Sequence, residues 1–363
     1  MSSFWNHNLT VSLFGESHGP AIGVVLDNLP PGEYIDIEEL KHFMSRRAPK
    51  QDNTSTHRRE TDMPNIMSGM LNNRTTGTPL SAFIQNTDTH SQDYGNISRL
   101  ARPGHADYTG ALRYKGFNDV RGGGHFSGRL TAPLVFAGAI CGQILERRGI
   151  YTGAHIAQIH NIKETGFNPC KVTREDIISL RHKKFPVLND KKGEAMIADI
   201  EKARESLDSV GGIIECVITN VPAGIGSPMF EGLENSISQL IFGIPAVKGI
   251  EFGAGFEASK MLGSQNNDEF YVDDHGHVLT KTNNHGGILG GISSGMPIIF
   301  RVAFKPTPSI SQPQETIDYS SLTNEVINIK GRHDPCVVPR AVPCVEAAAN
   351  IAILSHMLDY PNF

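Results

Sequence analysis

The chain has 363 residues, of which 20% are charged and 39% hydrophobic, and its formal net charge is −5. This length corresponds to about two average domains or one large domain, and it allows a sizeable core. The composition excludes a disordered chain. The negative charge disfavours a general binder of nucleic acid or of membrane surfaces, so we expect neither kind of partner.

Targeting signals and cysteine usage indicate the cellular compartment of the protein. The most apolar stretch, 134–140, is too short to cross a bilayer. The N-terminal MSSFWNHN lacks the basic and apolar regions of a secretory signal. The five cysteines are scattered without a CxxC pair, which predicts neither a disulfide framework nor a structural zinc site. We therefore expect a cytoplasmic protein without a metal.

Periodicity and capping residues predict the regular elements in chain order. Asp36, with Glu39 three residues later, predicts a helix start, and Pro133 predicts the start of an apolar helix. The irregular stretch 86–129 is long enough to be a functional loop. Strands are predicted over 9–14, 21–28 and 80–84. Helices are predicted over 36–47, 133–148, 174–180 and 194–207.

Three segments of the first half recur in the same order in the second half. They are VLDNLPPG at 25–32 and VITNVPAG at 217–224, TTGTPL at 75–80 and SSGMPI at 293–298, and RLTAPLVFAGAI at 129–140 and RAVPCVEAAANI at 340–351. The order predicts an internal duplication about a pseudo-twofold axis. The halves span about 1–150 and 210–363 of a single domain, with an inserted segment at about 160–210. The alternative is that strand-turn-strand segments resemble one another in unrelated proteins.

The residues suited to chemistry lie in glycine-rich and basic loops. A carboxylate beside an imidazole fixes its tautomer, so Asp107 is predicted to orient His105. Glycines with free backbone N–H groups, arginines and hydroxyls suit phosphate. The alternative for each loop is a polar turn with local hydrogen bonds. The loops are GESHG at 15–19, the basic run 46–59, RPGHADY at 102–108, RGGGHFSGR at 121–129, GGILGG at 286–291, KPTPS at 305–309 and GRHDP at 331–335.

Together these loops predict an enzyme that handles a highly anionic small molecule and a phosphorylated cofactor. The same residues support no Ser-His-Asp order, metal cluster, P-loop or dinucleotide-binding fingerprint. The residues alone give no more specific function.

At these positions the sequence closely resembles the chorismate synthase family, from about residue 14 to the C-terminal helix. The resemblance rests on GESHG, TTGTP, RPGHADY, RGGG, HGGILGGISSG, KPT and GRHDPC, which occur in the family's order. It implies an α+β fold, a β-α-β sandwich with helices between two antiparallel sheets, and a homotetramer. It implies a lyase that converts 5-enolpyruvylshikimate 3-phosphate to chorismate and phosphate by an anti 1,4-elimination. The reaction needs reduced FMN without net redox change, and it is the last step of the shikimate pathway.

The resemblance also assigns site residues. His18, His105 and Asp334 match the catalytic residues, the histidines as proton donors and the aspartate in removing the C6 proton of the substrate. Arg47 and Arg129 match ligands of the substrate anions, and Arg47 also matches the position for a reduced nicotinamide. FMN contacts are matched by His125, Phe126, Ser127, Ala246, Gly290, Lys305, Pro306, Thr307, Pro308, Ser309 and Arg332.

The chain departs from the family pattern at His125, Leu130, Asn53 and Pro245, which replace an arginine, a glutamate, an arginine and an asparagine. A histidine binds phosphate best when protonated, so His125 predicts an FMN affinity that depends on pH. Two alternatives stay open. One is a flavin-dependent oxidoreductase, which would consume reductant, and the other is a binding protein without catalysis. We expect an external reductant for the flavin, with NADPH as the alternative.

Overall fold

The computed structural model describes residues 3–49, 62–87, 99–329 and 334–360. The α-helices are α1 (Ile37–Arg47), α2 (Asp107–Arg113), α3 (Thr131–Glu146), α4 (Arg174–Arg181), α5 (Asp190–Glu205), α6 (Leu233–Phe242), α7 (Gly263–Asn266) and α8 (Val338–Met357). Short 3₁₀ turns are Arg121–Phe126, Gly128–Leu130, Met229–Glu231 and Gly255–Lys260.

The strands follow the same chain order. They are β1 (Phe4–Asn6), β2 (Thr10–Gly15), β3 (Ala21–Asp27), β4 (Asn65–Ser68), β5 (Met70–Leu71), β6 (Arg74–Thr75), β7 (Leu80–Gln85), β8 (Tyr151–Ile159), β9 (Ile162–Lys163), β10 (Gly212–Thr219), β11 (Val247–Phe252), β12 (Phe270–Val272), β13 (Val278–Thr280), β14 (Ile288–Leu289), β15 (Ile292–Ser293), β16 (Ile298–Phe304), β17 (Gln314–Asp318) and β18 (Thr323–Ile327).

Two five-stranded sheets share the order of four strands, which are β2-β3-β7-β4 in one and β8-β10-β16-β11 in the other. The first runs β1-β2-β3-β7-β4 and the second runs β9-β8-β10-β16-β11. Every neighbouring pair in both sheets is antiparallel. The small hairpin β5-β6 precedes β7, and the hairpin β14-β15 precedes β16. Four strands of the two sheets therefore match. The fifth strand differs, because β1 precedes its neighbour β2 in the chain, whereas β9 follows its neighbour β8.

The helices form the layer between the sheets. Helix α3 packs against β2, β3 and β7 of the first sheet, whereas α8 packs against β8 and β10 of the second. The two helices also pack on each other, and a side chain at Gly138 would overlap Ala347 of α8. The side-chain amide of Asn350 donates to the Gly138 carbonyl at 3.1 Å, which satisfies a buried polar group. The predicted α+β sandwich with central helices is confirmed.

The duplicated segments fold into matching turns. The hydroxyl of Thr75 donates to the Pro30 carbonyl at 2.5 Å, and the hydroxyl of Ser293 donates to the Pro222 carbonyl at 2.5 Å. Each hydroxyl also accepts, at 2.9 Å, the backbone N–H of the residue three positions after that proline. The same hydrogen bonds at equivalent places favour duplication over a chance likeness of turns.

The capping residues set the helix boundaries, in two cases earlier than predicted. Asp36 caps α1 as predicted, and its own N–H donates to Gln143 of α3 at 2.8 Å. Helix α3 begins at Thr131 instead of Pro133, because a 3₁₀ turn capped by Ser127 leads directly into it. Helix α5 begins at Asp190 instead of 194, because Asn189 caps it. The predicted strands 9–14, 21–28 and 80–84 are β2, β3 and β7.

Helix α3 with its preceding turn is longer and more apolar than the sequence stretch 134–140 suggested. Residues 128–146 have the length and composition of a helix that could cross a membrane, but 94% of an 18-residue window within them is buried inside the protein. That burial is typical of a core helix between two sheets.

A buried ionic triad connects the inserted segment to the second sheet. His155 of β8 lies 2.6 Å from Oε1 of Glu164 and 2.9 Å from Oε2 of Glu215 on β10. Burial by itself lowers the pKa of His155, but the hydrogen bonds and charges of the two carboxylates outweigh it and raise that pKa. Glu164 also accepts the backbone N–H groups of Leu188 and Asn189 at 2.9 Å, so the triad holds the start of α5 in place.

Candidate active site

A cavity of about 770 Å³ lies where loops of both halves meet. Its size falls in the upper part of the range of roughly 300–1,000 Å³ that is typical of ligand sites. Side chains from α1, the loop before α2, the start of α3, the loop after β16 and the start of α8 line it. Its apolar lining includes Trp5, Val11, Leu13, Leu134 and Leu240. Its polar lining includes Arg47, Arg102, His105, Arg129, Lys305, Asp334 and Arg340.

Three consecutive glycines form the bend of the RGGG loop. Gly122, Gly123 and Gly124 have φ of 59°, 86° and 53°, a region that residues with a Cβ adopt at a cost. A Cβ at Gly122 would overlap the imidazole of His18, and one at Gly123 would lie 3.2 Å from Nε2 of His105. The glycines thus let two histidines from distant loops approach the same bend of the backbone.

The carboxylate of Asp107 fixes the orientation of His105. Nδ1 of His105 lies 2.7 Å from Oδ1 of Asp107, as the sequence predicted. Arg102 donates to both oxygens of the same carboxylate, each at 2.7 Å. Burial alone would raise the pKa of Asp107, but hydrogen bonds from Arg102 and His105 hold it far below its usual range. An ionised Asp107 favours a proton on Nδ1, while Nε2 lies 3.3 Å from Nη2 of Arg102.

Two arginines of the cavity wall share one buried carboxylate. Arg47 donates to Oδ2 of Asp62 at 2.6 Å, and Arg129 donates to Oδ1. Arg47 also donates to Thr131 at 3.1 Å, while Arg129 donates to Asn86 at 3.2 Å. Burial by itself raises the pKa of Asp62, but the charges of both arginines and their hydrogen bonds outweigh this effect and lower that pKa. The cluster therefore has one negative and two positive charges.

A second ion pair lies at the start of α8. Nη1 of Arg340 donates to Oδ2 of Asp334 at 2.6 Å, and its Nε donates to the Arg47 carbonyl at 3.1 Å. Both Asp334 and Arg340 line the cavity. Arg340 thus joins the carboxylate of Asp334 to the backbone of Arg47 at the end of α1.

The loop after β16 adds to the cavity groups of the chemical types that suit a phosphate. Lys305, Thr307, Pro308 and Ser309 line it. The buried Oγ1 of Thr307 has no hydrogen-bond partner in the described part of the chain, so a ligand oxygen would satisfy it. Burial lowers the pKa of Lys305, with a contribution from the charge of Lys248. Ala246 also lines the cavity, and its carbonyl accepts the N–H of Lys305 at 2.9 Å.

The segment 125–127 faces the cavity but has protein contacts of its own. Nδ1 of His125 contacts the Gly15 carbonyl at 2.7 Å, and its Nε2 contacts the hydroxyl of Ser3. The ring of Phe126 packs against Gly110 of α2. Because both nitrogens of His125 have partners, this histidine also joins the N-terminal segment to the GESHG loop. The pH dependence of FMN affinity stays a prediction.

Three of the predicted site residues that the structure describes do not line the cavity. His18 lies immediately beside Gly122, which lines the cavity. Pro306 is exposed, and Gly290 is exposed in the turn of the β14-β15 hairpin. Arg332 lies outside the described residues, as do Asn53 and most of the basic run 46–59. Their predicted roles stay predictions.

No group of three or more His, Cys, Asp and Glu side chains suited to a metal ion occurs in ranges 3–49, 62–87, 99–329 and 334–360.

Comparisons of the sequence and the structure with known proteins all indicate the same protein family. A sequence profile described as chorismate synthase matches residues 9–358. The chain belongs to the chorismate synthase family. The chorismate synthases of Thermococcus kodakarensis and Korarchaeum cryptofilum are each 46% identical to it, over 96% and 98% of this chain and 96% and 97% of theirs. That of Lancefieldella parvula is 43% identical over the whole of this chain and 98% of its own.

A solved structure supports the same relationship. A crystal structure of chorismate synthase superposes with a TM-score of 0.76 at 28% identity, covering 98% of this chain and 93% of the other. Chorismate synthases are carbon-oxygen lyases that act on phosphates. The sequence-based expectation of an enzyme in this class is confirmed.

The sequence motifs predicted which loops form the site. Three residues in or behind the cavity wall were nevertheless not predicted as site residues. Arg102 had a local signal, since it stands in the RPGHADY motif. Arg340 stands in the duplicated segment at the start of α8, where it suggested only a helix start. Asp62 had no signal of its own, because its partners are 15 and 67 residues away.

Proposed function

We propose that the protein converts 5-enolpyruvylshikimate 3-phosphate to chorismate and phosphate by an anti 1,4-elimination. The supporting observation is that Arg47, Arg129, His105 and Asp334 line one cavity. An elimination of phosphate needs cations for the substrate anions, a proton donor near the leaving group and a base for the departing proton. These four residues supply each of those groups. The product would serve the shikimate pathway and aromatic amino-acid biosynthesis.

Each residue has a proposed task that follows from its contacts. Arg47 and Arg129 bind the anionic groups of the substrate, because buried guanidinium groups bind carboxylate and phosphate strongly. His105, oriented by Asp107, transfers a proton through Nε2. His18, beside Gly122, is the second proton donor. Asp334 accepts the C6 proton of the substrate, and Arg340 stabilises its negative charge at 2.6 Å.

The residues also fit a phosphorylated flavin. The unsatisfied Oγ1 of Thr307 and the ammonium of Lys305 suit a phosphate group. Reduced FMN, when bound, would donate an electron transiently and recover it, so the reaction has no net redox change. We propose that it is held by Ala246, Gly290, Arg332 and the segments 125–127 and 305–309.

Three further features of this enzyme are proposed on the family resemblance. The flavin is reduced by an external reductant and not by NADPH, because the sequence has no nicotinamide-binding fingerprint. The enzyme is a homotetramer. It works in the cytoplasm, which fits cysteines that form neither a CxxC pair nor an even set.

The test is an anaerobic reaction of the protein with dithionite-reduced FMN and 5-enolpyruvylshikimate 3-phosphate. We expect equal amounts of chorismate and phosphate over many turnovers, with the flavin still reduced at the end. Consumption of reductant in proportion to product would instead indicate an oxidoreductase. Binding of flavin and substrate without product would indicate a binding protein.

A further inference from the structure

Asp62 lies behind the two arginines that are proposed to bind the substrate. Its side chain is fully buried, whereas Arg47 and Arg129 line the cavity. Each guanidinium contacts a different oxygen of the Asp62 carboxylate. Asp62 therefore does not contact the cavity itself and acts on its contents only through the arginines.

The backbone at Asp62 is held in an uncommon conformation. Its φ is 49°, in the left-handed region, which aspartate tolerates better than most residues. This conformation directs the carboxylate between the two arginines, one from the end of α1 and one from the 3₁₀ turn before α3. Each arginine has a further hydrogen bond through its Nε, Arg47 to Thr131 and Arg129 to Asn86.

Charge balance gives the aspartate a second effect. Two guanidinium groups and one carboxylate have a net charge of +1. Without the carboxylate the charge would be +2, in a buried place where charges interact strongly. A carboxylate between two arginines thus fixes their separation and at the same time reduces their attraction for any single small anion.

We propose that Asp62 is a positioning residue that keeps Arg47 and Arg129 apart for the separate anionic groups of one substrate, at the expense of affinity for simple anions. The inference rests on the proposed function for its effect on turnover, but its effect on anion binding does not. The proposal predicts that removing the Asp62 charge changes phosphate affinity and turnover in opposite directions. Loss of the charge tightens the binding of inorganic phosphate and slows the elimination, whereas a merely structural defect weakens both.

The test compares Asp62→Asn with a matched control. Glu33→Gln removes a carboxylate that also bridges two arginines, Arg147 and Arg148, outside the cavity. Inorganic phosphate is titrated by calorimetry at constant ionic strength, and kcat and KM are measured with reduced FMN. For Asp62→Asn we expect phosphate to bind about tenfold tighter and kcat to fall about tenfold or more. For Glu33→Gln we expect both within about twofold of the wild type.

A second variant separates charge from geometry. Asp62→Glu keeps the charge but adds one methylene, so we expect phosphate affinity within about threefold of the wild type and a lower kcat. A wild-type kcat in Asp62→Glu would overturn the inference. This result would be decisive even if Asp62→Asn did not fold. Unchanged or weaker phosphate binding in folded Asp62→Asn would overturn it too.

The two proposals fail in different ways. If the wild type makes no chorismate, the proposed function is wrong. The phosphate titration then decides the inference alone: about tenfold tightening in Asp62→Asn supports it, and no tightening overturns it.

Discussion

Nδ1 of His105 lies 2.7 Å from Oδ1 of Asp107, two residues further along the chain at the start of α2. Arg102 binds the same carboxylate through Nε and Nη2. The aspartate is therefore held in place by one cation while it fixes the tautomer of the imidazole. The atom proposed to transfer a proton, Nε2, has its position set by a contact within one short loop.

The first prediction concerns this pair. Asp107→Asn keeps the size of the side chain but removes the charge that orients His105, so we expect kcat to fall about 100-fold. The measurement is chorismate formation with reduced FMN, together with the dissociation constant of FMN. Asp199→Asn is the matched control, because Asp199 pairs with His160 at 2.9 Å on the surface. A kcat close to that of the wild type would contradict the orienting role.

The second prediction separates strain from overlap in the RGGG loop. Gly122→Ala places a Cβ in the imidazole of His18 in addition to left-handed strain. We expect its kcat to fall about 100-fold or more. Gly276→Ala has similar strain, with a φ of 83°, but its Cβ meets nothing within 4 Å.

Gly276→Ala should therefore lower the free energy of unfolding by about 1–2 kcal/mol and leave kcat unchanged. Chemical denaturation and the chorismate assay measure the two effects. An equal loss of kcat in both variants would show that strain, and not overlap with His18, matters.

The third prediction follows from the raised pKa of His155. Because the folded pKa lies above the ordinary value of 6.5, the stabilisation is fully present below about pH 6.5 and is lost as the pH rises through the folded pKa. The free energy of unfolding of the wild type should decrease above pH 6.5 for this reason. His155→Gln should lack this part of the decrease and be less stable at pH 6 by about 3 kcal/mol.

Denaturant titrations at several pH values measure how the free energy of unfolding of the wild type and of His155→Gln depends on pH. His160→Gln is the control, because its ion pair with Asp199 is exposed, and its pH profile should follow the wild type. A wild-type stability that rises above pH 6.5, relative to His155→Gln, would contradict the prediction.

The fourth prediction uses the duplication. Thr75→Val and Ser293→Ala each remove a buried hydroxyl that donates to a proline carbonyl and accepts one N–H. We expect each to lower the free energy of unfolding by about 1–3 kcal/mol, since the freed groups stay buried. Thr78→Val is the control, because its hydroxyl is exposed. A large effect in one half and none in the other would show that the turns do not have equivalent roles.

Local sequence determined much of the fold and part of the site. Asp36 specifies the start of α1 through its own side chain. The repeated motifs also predicted that the turns at Thr75 and Ser293 correspond, although their hydroxyls contact prolines 45 and 71 residues away. The pairing of His105 with Asp107 was also predictable, because both lie in one loop. The Asp36 cap and the His105–Asp107 pair depend on contacts between residues that are close in the chain.

The tertiary structure decided the rest, because the remaining contacts join residues that are far apart in the chain. The glycines of the RGGG loop suggested a phosphate cradle, but the fold uses Gly122 to admit His18 from a loop 104 residues earlier. The arginines 47 and 129 suggested anion ligands, but only the fold places Asp62 between them. Sequence spacing cannot give such distances, since they depend on how the sheets and the central helices pack. The sequence by itself determined the family, the layers of the fold and the chemical types of the site residues, whereas packing determined which of them meet.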